Sequence, residues 1–154
     1  MTHTYAAYKR PISGQKTYTD WKWRAGNKFF PGQGKEARVA ILISDKIDCK
    51  TRAIKGDPEG HFINLKGRIH QEDINIVNIY APNIGAPKYI KKILEDFKKD
   101  IGSNTIIVGD FDTPLSKMDR SSKQNINKDI VSLNSTLEEM DLTDIYRALI
   151  IPKK

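Results

Sequence analysis

Two carboxylates, Asp110 and Asp112, follow a short apolar run, Thr105–Val108. Gly109 lies between the end of this run and Asp110. If an extended strand continues through them, residues two apart point to the same side, and the carboxylates lie together. Carboxylates at the carboxyl end of a buried strand can bind a metal ion or accept a proton. The same residues with Thr113-Pro114 also suit a plain polar turn, and the spacing alone favours neither interpretation.

A second strand-like run, Ile74–Tyr80, lies upstream and ends in the turn Ala81-Pro82-Asn83. This part of the chain resembles the endonuclease/exonuclease/phosphatase superfamily. The resemblance rests on the order Asn-Ile-Tyr-Ala-Pro-Asn, then an amphipathic segment, then Ile-Val-Gly-Asp-Phe-Asp-Thr-Pro-Leu. The chain is most similar to the endonuclease domain of LINE-type retrotransposons, a relative of exonuclease III and the abasic-site endonucleases. The similarity covers residues 38–149 and includes four further motifs: Val39–Lys46, Met118–Gln124, Asn127–Asp129 and Leu142–Arg147.

The resemblance implies an α/β fold, a four-layer sandwich of two facing, mostly antiparallel sheets with outer helices. This chain is expected to hold a part of it, incomplete at both termini. Residues 1–37 match poorly and are expected to form a divergent basic and aromatic segment with poor order, and residues 150–154 a frayed end. The domain proper is therefore expected to span residues 38–149.

The resemblance also implies a Mg²⁺-dependent phosphodiester hydrolase, with Mg²⁺ as cofactor and DNA as partner. In that family, the residue matching Asp110 orients or activates the attacking water, and the residue matching Tyr80 supports the scissile phosphate. Asp112 stands where the family has an Asn that holds a phosphate oxygen. Asn83 and Arg120 are expected to contact phosphate or DNA, with Arg120 at the DNA-facing rim. A carboxylate can take a proton from water, and a phenol can donate to a phosphate oxygen.

Departures from the family pattern predict that the chain is catalytically inert or nearly so. The family's first strand, with a metal-binding Asn, has no counterpart before Met1, and Met1 stands at the position of the metal-binding Glu. The late-strand Asp and the closing Ser-Asp-His would follow the last residue, and none of the three histidines matches them. One positioned acid–base group contributes roughly 10²–10⁴ in rate. Asp110 and Asp112 alone would hold Mg²⁺ weakly, and two carboxylates would repel a phosphate.

The net charge of +7 suits an anionic partner, but it is unevenly distributed. Residues 1–60 carry twelve Lys and Arg against six Asp and Glu, and residues 61–154 carry fourteen against thirteen. The basic excess is therefore compatible with nucleic-acid binding or with a merely solvated surface. The lone Cys49 excludes an internal disulfide, and neither a signal peptide nor a membrane-spanning run is visible, so an intracellular location, nuclear or cytoplasmic, is expected.

Apolar periodicity predicts strands at 39–43, 47–54, 63–69 and 74–80, neighbours in a four-stranded meander. His61 and His70 flank the third strand and are expected to face solvent rather than to bind a ligand. Helical spacing predicts one helix from Pro87 to Ile101 with Gly102 as its cap, and another over 129–140 capped by Asn127 or Asp129. Half of a two-sheet sandwich would expose apolar sheet surface, so self-association is expected.

Three functions follow from these residues, in order of preference. The first is a catalytically inert remnant of a retrotransposon endonuclease. The second is a non-catalytic nucleic-acid-binding module that uses the basic N-terminal third and the Arg120 loop. The third is a residual Mg²⁺ nuclease at Tyr80, Asn83, Asp110 and Asp112.

Overall fold

The computed structural model describes residues 3–7, 27–34, 37–113 and 126–145 of the 154-residue chain. These residues form eight strands and two helices. The strands are β1 (His3–Ala7), β2 (Asn27–Pro31), β3 (Ala40–Ser44), β4 (Cys49–Gly56), β5 (Phe62–Ile69), β6 (Glu72–Tyr80), β7 (Thr105–Asp110) and β8 (Leu142–Asp144). The helices are α1 (Ala86–Asp96), between β6 and β7, and α2 (Lys128–Glu139), which precedes β8.

Six strands form a mixed sheet in the order β4-β5-β6-β7-β1-β8, and β2 pairs with β3 in a separate antiparallel sheet. The β4/β5 and β5/β6 pairs are antiparallel, whereas β6, β7, β1 and β8 run parallel to one another. The carboxyl ends of β6 and β7 therefore lie beside the amino end of β5. This end of the strands, and not an outer strand, is the sheet edge referred to below. The functional residues predicted at Tyr80 and Asp110 lie at this edge.

The six-stranded sheet is covered on both faces. On one face, α1 and α2 bury a cluster that includes Ile79, Ile90, Ile107 and Leu133. On the other face, Val39, Ile41 and Ile43 of the β2–β3 sheet and its lead-in pack against a second cluster that includes Ile63 and Leu65. The α/β class with two facing sheets and outer helices is thus confirmed. The larger sheet is mixed rather than mostly antiparallel, because three of its five strand pairs are parallel.

The predicted four-stranded meander is wrong in one strand. β3 pairs with β2 in the second sheet, so the meander consists of β4, β5 and β6 alone. The alternative pairing could not be seen in the sequence because β2, Asn27–Pro31, lies in a stretch without clear periodicity. β1 and β2 both fall within residues 1–37, and the low order expected for that segment as a whole stays a prediction.

The helices follow the predicted periodicity, with one difference in length. Asn127 caps α2 as expected, because its side-chain oxygen accepts the backbone N–H of Ile130 at 2.9 Å. α1 ends at Asp96 rather than near Ile101, since the backbone tightens into turns from Phe97 onward. Phe97 and Ile101 still pack on the helix-covered face, which explains why their spacing resembled that of a longer helix.

The described surface bears only indirectly on the expected self-association. Four large apolar side chains are exposed there and they belong to three different parts of the chain: Ile54, Ile84, Ile126 and Val131. Self-association through sheet surface stays a prediction. Within the described ranges, no helix is long and apolar enough to cross a membrane.

Candidate nucleic-acid interface

The ends of β6 and β7 are locked together at Tyr80 and Asp110. The two residues are partners in the parallel β6/β7 register, and the N–H of Ala81 donates to the Asp110 carbonyl at 2.8 Å. Gly109 makes this approach possible, because its φ is 145° and a Cβ there would lie 1.8 Å from the Ile79 carbonyl oxygen. Since register partners of parallel strands point to the same side, the phenol and the carboxylate leave the sheet on a common side.

The strand stops at Asp110, and Asp112 does not continue it. The N–H of Asp112 donates to the Asp110 carboxylate at 3.2 Å, closing an Asx-type turn, and Asp112 has a left-handed φ of 41°. The expectation that strand alternation carries both carboxylates to one side is therefore wrong, because the turn begins between them. Asp112 is exposed and Asp110 half-buried at this edge.

Tyr80 is flanked by a cation that the sequence did not single out. The Arg38 guanidinium lies over the Tyr80 ring, 5.6 Å from its centroid, a cation–π arrangement. The Arg38 backbone N–H donates to the Gly60 carbonyl at 3.1 Å, which anchors it just before β3. Because Arg38 is exposed, its guanidinium can also donate to a phosphate. No motif marks Arg38, since only the pairing of sheets brings it to Tyr80.

The other predicted phosphate contacts are less fully placed. Asn83 lies exposed in the turn between β6 and α1, three residues beyond the end of β6. Arg120 falls outside the described residues. Tyr80, Asp110, Asp112 and Asn83 are thus brought to one edge of the sheet, with Arg38 added to them.

The residues described at this edge do not fit a complete Mg²⁺ site. Mg²⁺ requires octahedral oxygen coordination, typically from one or two carboxylates and several waters. Asp110 already accepts the Asp112 N–H, and no third acidic or histidine side chain joins these two among the described residues. Among the described residues, the cation expected from the resemblance would therefore meet two carboxylates here, and the weak Mg²⁺ binding expected of them stays a prediction.

Next to Tyr80, the same edge carries a second polar cluster, composed of Asp57, Glu59 and His61. The Tyr80 N–H donates to the His61 carbonyl at 2.6 Å, so the cluster is one strand away from the Tyr80–Asp110 pair. The side chain of His61 is only 14% exposed and contacts the Tyr89 ring edge-on. The expectation that His61 faces solvent is wrong, because α1 packs Tyr89 against it.

Tyr89 is held in its neutral form by this environment. Burial, followed by the negative charge of Asp57, raises the pKa of its hydroxyl above the ordinary tyrosine value of 10.0. The Tyr89 hydroxyl lies 3.5 Å from Asp57 Oδ2, close enough to donate to it.

Comparison with known proteins supports the fold. No family model matches the chain. Among solved structures, the chain is similar to the endonuclease domain of TRAS1, a telomere-specific non-LTR retrotransposon, with a TM-score of 0.55 and 16% sequence identity. The match covers 75% of this chain and 53% of that domain, so the chain spans about half the length of its structural neighbour. The expected resemblance to a retrotransposon endonuclease domain is thereby confirmed at the level of the fold.

Proposed function

We propose that this chain is a fragment of a retrotransposon-type DNA endonuclease that meets DNA at the Tyr80–Asp110 edge and does not hydrolyse it. The observation that carries the proposal is the parallel register of Tyr80 with Asp110, locked by the Ala81–Asp110 hydrogen bond. It puts a phenol and a carboxylate on one side of the sheet edge. There the phenol can donate a hydrogen bond to a phosphate oxygen, and the carboxylate can take a proton from water. The neighbouring TRAS1 fold has the same class of activity in its name.

The proposed lack of hydrolysis rests on the charges at this edge. The exposed carboxylate of Asp112 stands where a phosphate oxygen would approach. Two unit charges of one sign about 4 Å apart repel by about 1 kcal/mol even in water. Among the described residues, no complete cation site at this edge stabilises the charge of a transition state, and Arg38 offers a guanidinium but no metal.

A plasmid-nicking assay tests this proposal. Supercoiled DNA is incubated with the chain and Mg²⁺, beside Asp110→Ala and an EDTA control, after circular dichroism has shown that both proteins are folded. We expect no nicking above buffer. Nicking that is lost both in Asp110→Ala and with EDTA would contradict the proposed inertness and identify a working nuclease at this edge.

A non-catalytic nucleic-acid-binding module is the second candidate, and Arg38 favours it. Its guanidinium is exposed on the Tyr80 ring and can neutralise a phosphate without any catalytic group. The basic N-terminal third and the Arg120 loop would add positive charge to the chain for such binding. In this candidate the chain binds duplex DNA mainly through phosphates, with little sequence preference.

Matched arginine and lysine variants test where the DNA binds. Arg38 precedes β3 and the exposed Lys46 follows it, so Arg38→Ala and Lys46→Ala remove the same charge at opposite ends of one strand. Affinity for a short duplex is measured by fluorescence anisotropy over a salt series. We expect Arg38→Ala to weaken binding and to reduce the log–log salt slope by about 0.9, with Lys46→Ala unchanged. Equal losses in both variants would contradict a site at Tyr80.

A further inference from the structure

The cluster of Asp57, Glu59 and His61 has the composition of a metal site. It offers two carboxylate oxygens and an imidazole nitrogen, all within 4.8 Å of one another, from residues spaced i, i+2 and i+4 in the turn between β4 and β5. Imidazole with carboxylates suits borderline first-row cations, of which Zn²⁺ is typical. Of the residues that the structure describes, no other group of three such side chains comes together.

Two of the three spacings between ligand atoms match the edge of a tetrahedral centre. His61 Nδ1 lies 3.4 Å from Asp57 Oδ2 and 3.3 Å from Glu59 Oε2. In a tetrahedron with metal–ligand bonds of about 2.0–2.1 Å, neighbouring ligands stand about 3.3–3.4 Å apart. Both measured distances therefore fall on the edge length that a zinc ion requires, with His61 as the shared corner.

His61 Nδ1 points into this cluster without a hydrogen-bond partner. It is fully buried, and two carboxylate oxygens face it. A neutral nitrogen would present its lone pair to two negative oxygens, and a proton on it could be aligned with only one of them. A divalent cation between the three atoms satisfies all of them at once.

Asp57 is held ready to act as a ligand. Its Oδ1 accepts the backbone N–H groups of His61 and Phe62, at 2.6 and 3.0 Å, which fixes the orientation of the carboxylate. Its Oδ2 is turned toward His61, with the Tyr89 hydroxyl 3.5 Å away as an outer contact. Hydrogen bonds of this kind around a ligand orient it and strengthen metal binding.

We propose that Asp57, Glu59 and His61 bind one Zn²⁺ ion through Oδ2, Oε2 and Nδ1, with a fourth position open to water. The 79% exposure of the Glu59 side chain puts that open position toward solvent. This site is separate from the Mg²⁺ expected near Asp110, and hard cations such as Mg²⁺ are poor competitors for an imidazole ligand. The inference does not depend on the proposed function.

Isothermal titration of the full chain with Zn²⁺ tests the proposal, and Co²⁺ absorption spectra report the geometry. Glu59→Gln removes one ligand from an exposed side chain and so leaves the fold in place, which circular dichroism checks; His61→Asn removes the nitrogen. The matched controls are Glu72→Gln, another exposed acid, and His70→Asn, another histidine. Asp110→Asn separates this site from the Tyr80–Asp110 edge.

We expect one Zn²⁺ per chain, retained in millimolar Mg²⁺, and a tetrahedral Co²⁺ spectrum. Because loss of an outer contact alone costs roughly 10–100-fold in metal affinity, Glu59→Gln should weaken binding by at least about tenfold, and His61→Asn by more. The two controls and Asp110→Asn should bind as the parent does. The proposal is overturned if Zn²⁺ does not bind at unit stoichiometry, if Glu59→Gln binds unchanged, or if Asp110→Asn abolishes binding.

Discussion

The two polar clusters at this edge of the sheet differ in how their carboxylates are held. Asp57 is 18% exposed, accepts two backbone N–H groups and lies against His61 and Tyr89. Asp110 accepts one N–H, at 3.2 Å, and leads into the exposed Asp112. The Asp57 cluster is closed on the side of His61 and Tyr89, and the Tyr80–Asp110 cluster is open to solvent along the edge.

Because of this difference, the two clusters suit different kinds of ligand. A small cation needs several donor atoms held around a fixed point, as at Asp57. A nucleic-acid backbone is large and needs an open rim with groups that can reach phosphates, as at Tyr80, Asp110 and Arg38. The backbone under the open cluster is rigid even though its side chains are not enclosed, and Gly109 is the reason.

The largest effect that we expect comes from Gly109→Ala. A Cβ at Gly109 would lie 1.8 Å from the Ile79 carbonyl oxygen, and the φ of 145° is itself unfavourable for alanine. Neither β6 nor β7 can move apart without losing the pairing of Tyr80 with Asp110. We expect a loss of more than about 4 kcal/mol in the free energy of unfolding, measured by urea denaturation.

Gly102→Ala is the matched control, because nothing lies within 4 Å of a Cβ built there. Its stability should stay within about 0.5 kcal/mol of the parent. If Gly109→Ala were as stable as Gly102→Ala, the close approach of β6 and β7 would be wrong, and the open cluster would lose its rigid base.

Local patterns predicted most of the fold, because its signals are contiguous in sequence. The apolar run 105–108 gave β7, and the alternation around Ile63 and Leu65 gave β5. Asn127 marked the start of α2 through its capping side chain. The β2–β3 pairing was not predictable, since β2 lies in a stretch without periodicity that gave no sign of a strand.

The second expected effect distinguishes the two carboxylates directly. Asp57→Ala leaves the N–H groups of His61 and Phe62 without their acceptor, whereas Asp110→Ala removes the acceptor of one exposed N–H. Bonds to a charged acceptor contribute about 1.5–3 kcal/mol, and less where solvent screens an exposed bond, as at Asp110. We expect Asp57→Ala to lower the free energy of unfolding, measured by urea denaturation, by about 2–4 kcal/mol, and Asp110→Ala to lower it by less than about 1 kcal/mol. Equal losses in the free energy of unfolding would show that the hydrogen bonds of the two carboxylates contribute equally to stability.

The candidate site was predicted from sequence only where strand ends coincide with motifs. Tyr80 and Asp110 each close a strand, so parallel pairing brings them together. Asp57 and His61 lie in a turn that suggests nothing more than a chain reversal, and only the packing of Tyr89 from α1 shows them to be enclosed. Arg38 reaches Tyr80 across two sheets, a contact that no local pattern encodes.

A third prediction concerns the open cluster and its charge. Under the proposed function, Asp112→Asn replaces an exposed carboxylate beside the phosphate by an amide that can donate a hydrogen bond to it. Relief of about 1 kcal/mol of repulsion corresponds to about fivefold tighter DNA binding. Fluorescence anisotropy at low salt measures this change. Glu59→Gln removes the same charge from the neighbouring cluster, outside the proposed phosphate site, and should give a smaller gain; an equal gain in both would point to net charge alone.

The smallest effect appears at alkaline pH, in the closed cluster. Because burial and Asp57 raise the pKa of Tyr89 in the folded chain, the neutral hydroxyl stabilises the fold fully below its unfolded pKa, near 10.0. Above that pH the unfolded chain loses the proton first, so stability falls as the pH rises toward the folded pKa. Tyr89→Phe has no proton to lose and should show a shallower decline in Tm between about pH 9.5 and 11. If the Tm of Tyr89→Phe declined as steeply as that of the parent over this range, the raised pKa of Tyr89 would be contradicted.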